Sequence, residues 1–207
     1  MPQTPLTLAV LGDSIAHGKG AQSRADALGP RLAAALTAAG FDVDLHVLAV
    51  NGAVSRDLAP QVERARRLRP DLAVVVVGAN DLARFVPVDV AVGALAAAIR
   101  DLRALGTDVV VVPAPDMSSI PFVPPAFRSA VRAACHALQR EQTAVAEAAG
   151  CTVASVAADV AGEFGSDPAL FARDRFHPSS AGYARIAAAL APYVLAVAQE
   201  RRDASAA

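Results

Sequence analysis

Short apolar runs alternate along the chain with longer amphipathic stretches, the pattern of an α/β protein whose parallel strands are buried on both faces. The runs Leu6–Leu11, Val43–Ala49, Leu72–Val77 and Val109–Val112 predict strands, with a weaker one at Thr152–Val156. Helical spacing predicts helices over Asp26–Ala39, Ser55–Leu68, Val88–Leu105, Pro125–Ala149 and Ser179–Ala198. Gly40, Gly106 and Gly150 each follow a helical run and Pro70 stops another, as helix ends require. Five strands with a helix between each pair predict a three-layer, doubly wound α/β/α sandwich. Ligands in such sheets bind beyond the carboxyl ends of the strands, which points to the loops beginning near Gly12, Val50, Gly78 and Pro113.

Composition narrows the possibilities further. The 207 residues fit one domain, read as residues 1–198 followed by a disordered tail at 199–207. Apolar residues at 54% and charged residues at 19% are the balance of a chain that folds by itself. A net charge of -1 and the lack of a long Lys/Arg block exclude the electrostatic footprint of a nucleic-acid binder. The N-terminal residues lack the features of a secretory signal. No stretch reaches the roughly 18 uninterrupted apolar residues of a membrane span, so a cytoplasmic location is expected. Cys135 and Cys151 are the two cysteines, too few for a disulfide framework or a four-thiolate zinc site. They read as ordinary buried thiols, and neither a metal nor a cofactor is expected.

Candidate chemistry gathers on the predicted ligand edge. The first strand runs into Gly12-Asp13-Ser14-Ile15, placing a hydroxyl at a strand-to-helix turn where free N–H groups and the helix dipole can stabilise an oxyanion. Ser14 can equally serve there as a helix cap. Gly18-Lys19 does not complete a phosphate loop, because the spacing from Gly12 is one residue too long and Gly20 stands where Ser or Thr is needed. The second candidate is Asp174-Arg175-Phe176-His177-Pro178, just before the last helix. Pro178 keeps His177 out of the helix, so Asp174, three residues earlier, can fold back to accept the Nδ1–H. Nε2 is then left to take a proton from a serine. A loop histidine capping carbonyls is the alternative. Gly78-Ala79-Asn80-Asp81 and Asn51-Gly52-Ala53 follow two further strands. The Asn80 amide and the Gly52 N–H are donors of the oxyanion-hole type, although both segments also suit tight turns.

Taken together, these segments resemble the SGNH/GDSL hydrolases, whose blocks carry Ser, Gly, Asn and His; here the matching positions are Ser14, Gly52, Asn80 and His177. The resemblance runs from Leu8 to the final helix, with Ile15 standing where the family name has leucine. It implies a flavodoxin-like α/β/α sandwich with five parallel strands. It also implies a carboxylic ester hydrolase with Ser14 as nucleophile, His177 as base and Asp174 as its partner, and an oxyanion hole made of Ser14 N–H, Gly52 N–H and the Asn80 amide. Asp13 and Asp81 are implied as loop-bracing carboxylates, while His17, His46 and His136 are not expected to act in catalysis.

The partner expected is a small-molecule ester. The Pro113–Pro124 loop is rich in proline and apolar residues. Met117, Ile120 and Phe122 from it, with Leu82 and Phe85 after the third strand, are expected to line an apolar pocket. With aromatics at 4% and no Trp, a sugar-stacking platform is hard to build. Short or medium acyl esters or thioesters are therefore favoured over the alternatives, a carbohydrate O-acetylesterase or a non-catalytic ligand-binding relative.

Overall fold

The computed structural model describes residues 4–120 and 123–206. Five parallel strands, β1 (Thr4–Gly12), β2 (Phe41–Val47), β3 (Leu72–Val76), β4 (Asp108–Val112) and β5 (Thr152–Val153), form one sheet in the order β2-β1-β3-β4-β5. The sandwich implied by the sequence is thus observed, and the chain reverses direction of growth at β1 and β3. At that switch point neighbouring loops diverge and leave a crevice.

Two-residue periodicity sorts each central strand between two cores. Leu8, Val10, Val74 and Val110 face α2 (Leu28–Ala38) and α8 (Ser180–Ala206), meeting Leu32, Leu36, Tyr183, Leu190 and Val194. Ala9, Leu11, Ala73, Val75, Val109 and Val111 face α3 (Leu58–Leu68) and α5 (Val88–Arg103), meeting Val62, Leu95, Ile99 and Leu102. The helix α6 (Arg128–Ala148) joins this second layer through Ala146. Two short helices, α1 (Ser14–His17) and α4 (Ala79–Ala83), begin directly beyond β1 and β3.

Three elements depart from the sequence pattern. The fifth strand is only two residues long, because Ala154 makes the last ladder bond, to Val111 O at 2.9 Å, and α7 (Val156–Ser166) starts at once. That helix was not predicted; Gly162 and Gly165 lower its intrinsic propensity by about 1 kcal/mol each, and packing against α8 supplies the difference. The expected disordered tail is instead the end of α8, which runs to Ala206. Arg201 anchors it to Asp71 at 2.9 Å and to Asp108 at 3.0 Å, while the Arg202 guanidinium lies 4.7 Å from the centre of the Phe41 ring. Over Ser180–Ser205 this helix is long and apolar enough to cross a membrane by length and composition; here Tyr183, Leu190, Val194 and Val197 bury one side of it against the sheet.

The end of β1 is the tightest point. Gly12 has φ 131°, and a Cβ there would stand 1.8 Å from Val76 O. Gly12→Ala is expected to cost more than about 4 kcal/mol, since backbone strain and a clash with backbone coincide. Urea unfolding of the variant, or its failure to accumulate as folded protein, checks this.

Candidate active site

Asp13 caps α1: one carboxylate oxygen accepts the Ile15 N–H at 2.9 Å, and the chain turns so sharply after Gly12 that Ser14 is the first helical residue. Ser14 is 4% exposed. Its N–H lies in the first turn, where no intrahelical acceptor exists. Its carbonyl is held from within α1 and beyond: Gly18 N–H donates to it at 3.0 Å and Lys19 N–H at 2.9 Å. The Tyr183 hydroxyl, fully buried in α8, donates to Lys19 O at 2.8 Å and approaches Ser14 O at 3.4 Å. Burial, then the charges of Asp13 and Asp174, push the Tyr183 phenol well above its ordinary range, so it stays a donor.

His177 arrives on a tight hairpin between α7 and α8. Ala172 N–H donates to His177 O at 2.8 Å, Phe171 bridges Pro178, and Arg175 takes φ 53° at the tip. The hairpin brings Asp174 back on its own chain: Oδ1 accepts the N–H groups of Phe176 and His177 at 3.0 Å each, and Oδ2 lies 2.6 Å from His177 Nδ1. With Nδ1 protonated, Nε2 is free to accept from Ser14 Oγ, 3.0 Å away. Burial pushes the Asp174 carboxyl up, but the hydrogen bonds from the His177 ring and from the two N–H groups outweigh it and hold it at about 2. Asp174 is therefore ionised at neutral pH. Edge-on packing of Phe176 at 4.9 Å fixes the ring further.

The other two loops are tied to each other by side chains of α4 and its cap. Asn80 Nδ2 donates to Ala53 O and Arg84 Nη2 to Gly52 O, both at 2.9 Å. Asp81 accepts Ser55 N–H at 3.0 Å and Ser55 Oγ at 3.1 Å. One Asn80 amide hydrogen is thus spent on the Gly52 loop, leaving the second for a ligand. Gly52 has φ 77°. Asp81 braces this loop, and burial pushes its carboxyl up against the pull of Ser55.

Two glutamines and a tyrosine escaped the sequence reading. Gln61 of α3 both accepts Gly12 N–H at 2.7 Å and donates to Gly12 O at 2.9 Å. Gln142 of α6 accepts Ala114 N–H at 2.8 Å and donates to Val77 O at 3.0 Å. Gln61 supplies partners to Gly12 at the end of β1, where Gly12 O also accepts the Val50 N–H at 3.1 Å, and Gln142 joins the ends of β3 and β4 beyond their last paired residues. The available signal was a polar residue inside an apolar helical stripe, Leu138-Gln142-Ala146 for one and Leu58-Gln61-Ala65 for the other.

Beside Ser14 and His177 opens an apolar cavity of about 90 Å3. Met117 and Ile120 line it as expected, together with Ile15, Phe164, Phe171 and Ile186. Leu82 does not; it packs between the Ala79–Met117 and Ala91–Leu138 clusters. Phe85 is also corrected. The turn after α4, closed by Phe85 N–H to Leu82 O and Val86 N–H to Asp81 O, leaves its ring 90% exposed, at a separate groove with Val54, Arg56 and Val90. Phe122 lies outside the described residues. Phe164 belongs to α7, so missing that helix meant missing it.

Burial pushes the thiols of Cys135 and Cys151 up, which disfavours a thiolate at either. Among the described residues no three His, Cys, Asp or Glu side chains group as metal ligands.

The chain is similar to known proteins. The chain is 34% identical over 181 residues to the GDSL-like esterase Rv1075c of Mycobacterium tuberculosis, a match covering 86% of this chain and 58% of that relative. The crystal structure of TesA superposes with TM-score 0.74 at 24% identity, over 92% of this chain and 99% of TesA. Axe2, an acetylxylan esterase from Geobacillus stearothermophilus, superposes with TM-score 0.75 at 20% identity, over 93% of this chain and 95% of Axe2; at such identities the likeness concerns the fold. The model of the GDSL-like lipase/acylhydrolase family matches residues 10–185, from β1 through the hairpin bearing His177, and the chain belongs to that family.

Proposed function

We propose that the protein hydrolyses carboxylic esters of short or medium acyl chains, or the corresponding thioesters, through an acyl-enzyme on Ser14. The observation that carries the reading is the unbroken chain from Ser14 Oγ to His177 Nε2 at 3.0 Å and from His177 Nδ1 to Asp174 at 2.6 Å, at the mouth of an apolar cavity. Ser14 Oγ attacks the carbonyl carbon and its proton passes to His177 Nε2, while the Asp174 charge stabilises the imidazolium. The oxyanion is met by the Ser14 and Gly52 N–H groups and the second Asn80 hydrogen. The C–O bond to the alcohol breaks, and the alcohol leaves with the His177 proton. Water then attacks the acyl-enzyme with His177 as base, releasing the acid and restoring Ser14.

A carbohydrate O-acetylesterase is the second reading, favoured by the fold shared with Axe2. The cavity speaks against it: apart from Ser14, His177 and Asp116 its lining is apolar, with few groups to bind sugar hydroxyls. Incubation with a fluorophosphonate followed by peptide mapping is expected to place one phosphonyl adduct on Ser14 in the wild type and none in His177→Ala. An adduct elsewhere, or labelling independent of His177, overturns the assignment. Turnover of acetylated xylooligosaccharides in preference to aryl butanoates decides for the second reading.

A further inference from the structure

The cavity beside Ser14 can be assigned to one half of the substrate. An ester carbonyl held at Ser14 has two substituents, and the site treats them differently over the cycle. The alcohol must depart and water must then reach His177 Nε2, so that side needs an open route. The acyl group stays bonded to Ser14 through both steps and can sit in a partly enclosed space. The enclosed space here is the cavity bounded by α7, α8 and the Met117–Ile120 turn.

Its inner wall is rigid. The Phe164 and Phe171 rings meet edge-on at 5.2 Å, and α8 passes so close beneath that a Cβ at Gly182 would lie 2.2 Å from Leu170 O and 3.1 Å from the Phe164 ring. Neither ring can retreat far. A cavity of about 150 Å3 accepts benzene; scaled to about 90 Å3, this one accepts about three to four carbons. That exceeds the single methyl of an acetyl group and falls short of a long fatty chain.

Resting on the hydrolase reading above, we propose that this cavity binds the acyl group of straight-chain esters near butanoate in length, with Phe164 and Val160 of α7 setting the limit. Longer chains meet the Phe164–Phe171 wall, and shorter ones leave apolar surface unfilled.

The test uses two ester series on the whole protein. In the first, p-nitrophenyl esters run from acetate through butanoate to octanoate. In the second, the acyl group is butanoate throughout and the alcohol grows. The wild type is expected to peak at butanoate in kcat/KM and to fall about tenfold or more by octanoate, with a much flatter response to the alcohol. Phe164→Ala moves the peak toward octanoate; Val160→Phe lowers butanoate about tenfold relative to acetate. A flat acyl profile, or a length response confined to the alcohol series, overturns the assignment. Ethyl-, butyl- and octylboronic acids, which add to a serine without turnover, give an independent reading through the rise in Tm. If no ester turns over but butylboronic acid stabilises most in the wild type and octylboronic acid in Phe164→Ala, the hydrolase reading fails and the cavity assignment stands. If esters turn over and neither series orders by acyl length, the cavity assignment alone falls. If neither turnover nor length order is found, both fall.

Discussion

Ser14→Ala is expected to lower kcat on an aryl butanoate by about 10^4- to 10^6-fold, and His177→Ala by a similar factor, with little further loss in the double variant. In the proposed mechanism Ser14, His177 and Asp174 act as one unit: without the Nε2 acceptor 3.0 Å away the hydroxyl is a poor nucleophile, and without the hydroxyl the base has nothing to activate. Residual rate over water comes from the oxyanion donors, which neither substitution touches. Both variants should remain folded, because neither side chain fills core volume. Steady-state kinetics with far-UV circular dichroism and a thermal melt checks this. Full activity in folded Ser14→Ala removes Ser14 as nucleophile, and additive losses in the double variant separate His177 from it.

Asp13→Asn is expected to stabilise the protein above pH 7. The Asp13 side chain is 1% exposed, its Oδ2 has no well-formed hydrogen bond among the described residues, and burial together with the Asp81 charge raises its carboxyl to about 7. The folded state thus holds a proton that the unfolded chain releases near 3.8. Stability is fullest below that value, declines as pH rises toward 7, and stays reduced above it. At about 1.4 kcal/mol per unit, the deficit above pH 7 is up to about 4 kcal/mol. Asparagine retains an acceptor for the Ile15 N–H and cannot ionise, so its Tm should exceed the wild-type value at pH 8, by up to roughly 10 °C for a chain of this size, and converge with it near pH 4. Asp174 acts in the opposite sense and elsewhere: held at about 2, it contributes stability above 3.8 that is lost only as pH falls toward 2. Thermal melts from pH 4 to 8 test this, and a wild-type Tm that is flat across the range shows Asp13 to be ionised inside the fold.

The strands of the sheet and the candidate residues Ser14, Asp174 and His177 were legible because each rests on a short local pattern. The nearly continuous apolar runs Leu6–Leu11 and Leu72–Val77 report burial on both faces. The three-residue spacing of Asp174 and His177 before Pro178 implies a loop on which the two can meet. What escaped depends on contacts far along the chain. The helix Val156–Ser166 is poor in local signal and is held by α8. The charged run after Ala198 looks like a solvated tail until Asp71 and Asp108, more than 90 residues away, are brought to Arg201. Phe85 lies four residues after Asp81 of the Gly-Ala-Asn-Asp block, and its position there suggests a pocket residue. A single reverse turn sends it outward, and such turns are set by backbone detail that hydrophobic patterning does not encode.

Gln61 and Gln142 give the crevice an unusual mechanical dependence. The peptide groups at its lip, Gly12 on one side and Val77 with Ala114 on the other, are anchored to α3 and α6 in the outer layer, and a bond from Asp13 N–H to Val76 O at 3.0 Å joins the two sides directly. The rim therefore depends in part on those helices: a disturbance that loosens α3 removes two of the bonds at the end of β1, and the turn carrying Ser14 is then held by Asp13 N–H to Val76 O and Val50 N–H to Gly12 O. Local stability at the nucleophile is in this sense borrowed from the back of the molecule, and the outer surface of α3, remote from any substrate, is part of what keeps the reacting groups in line.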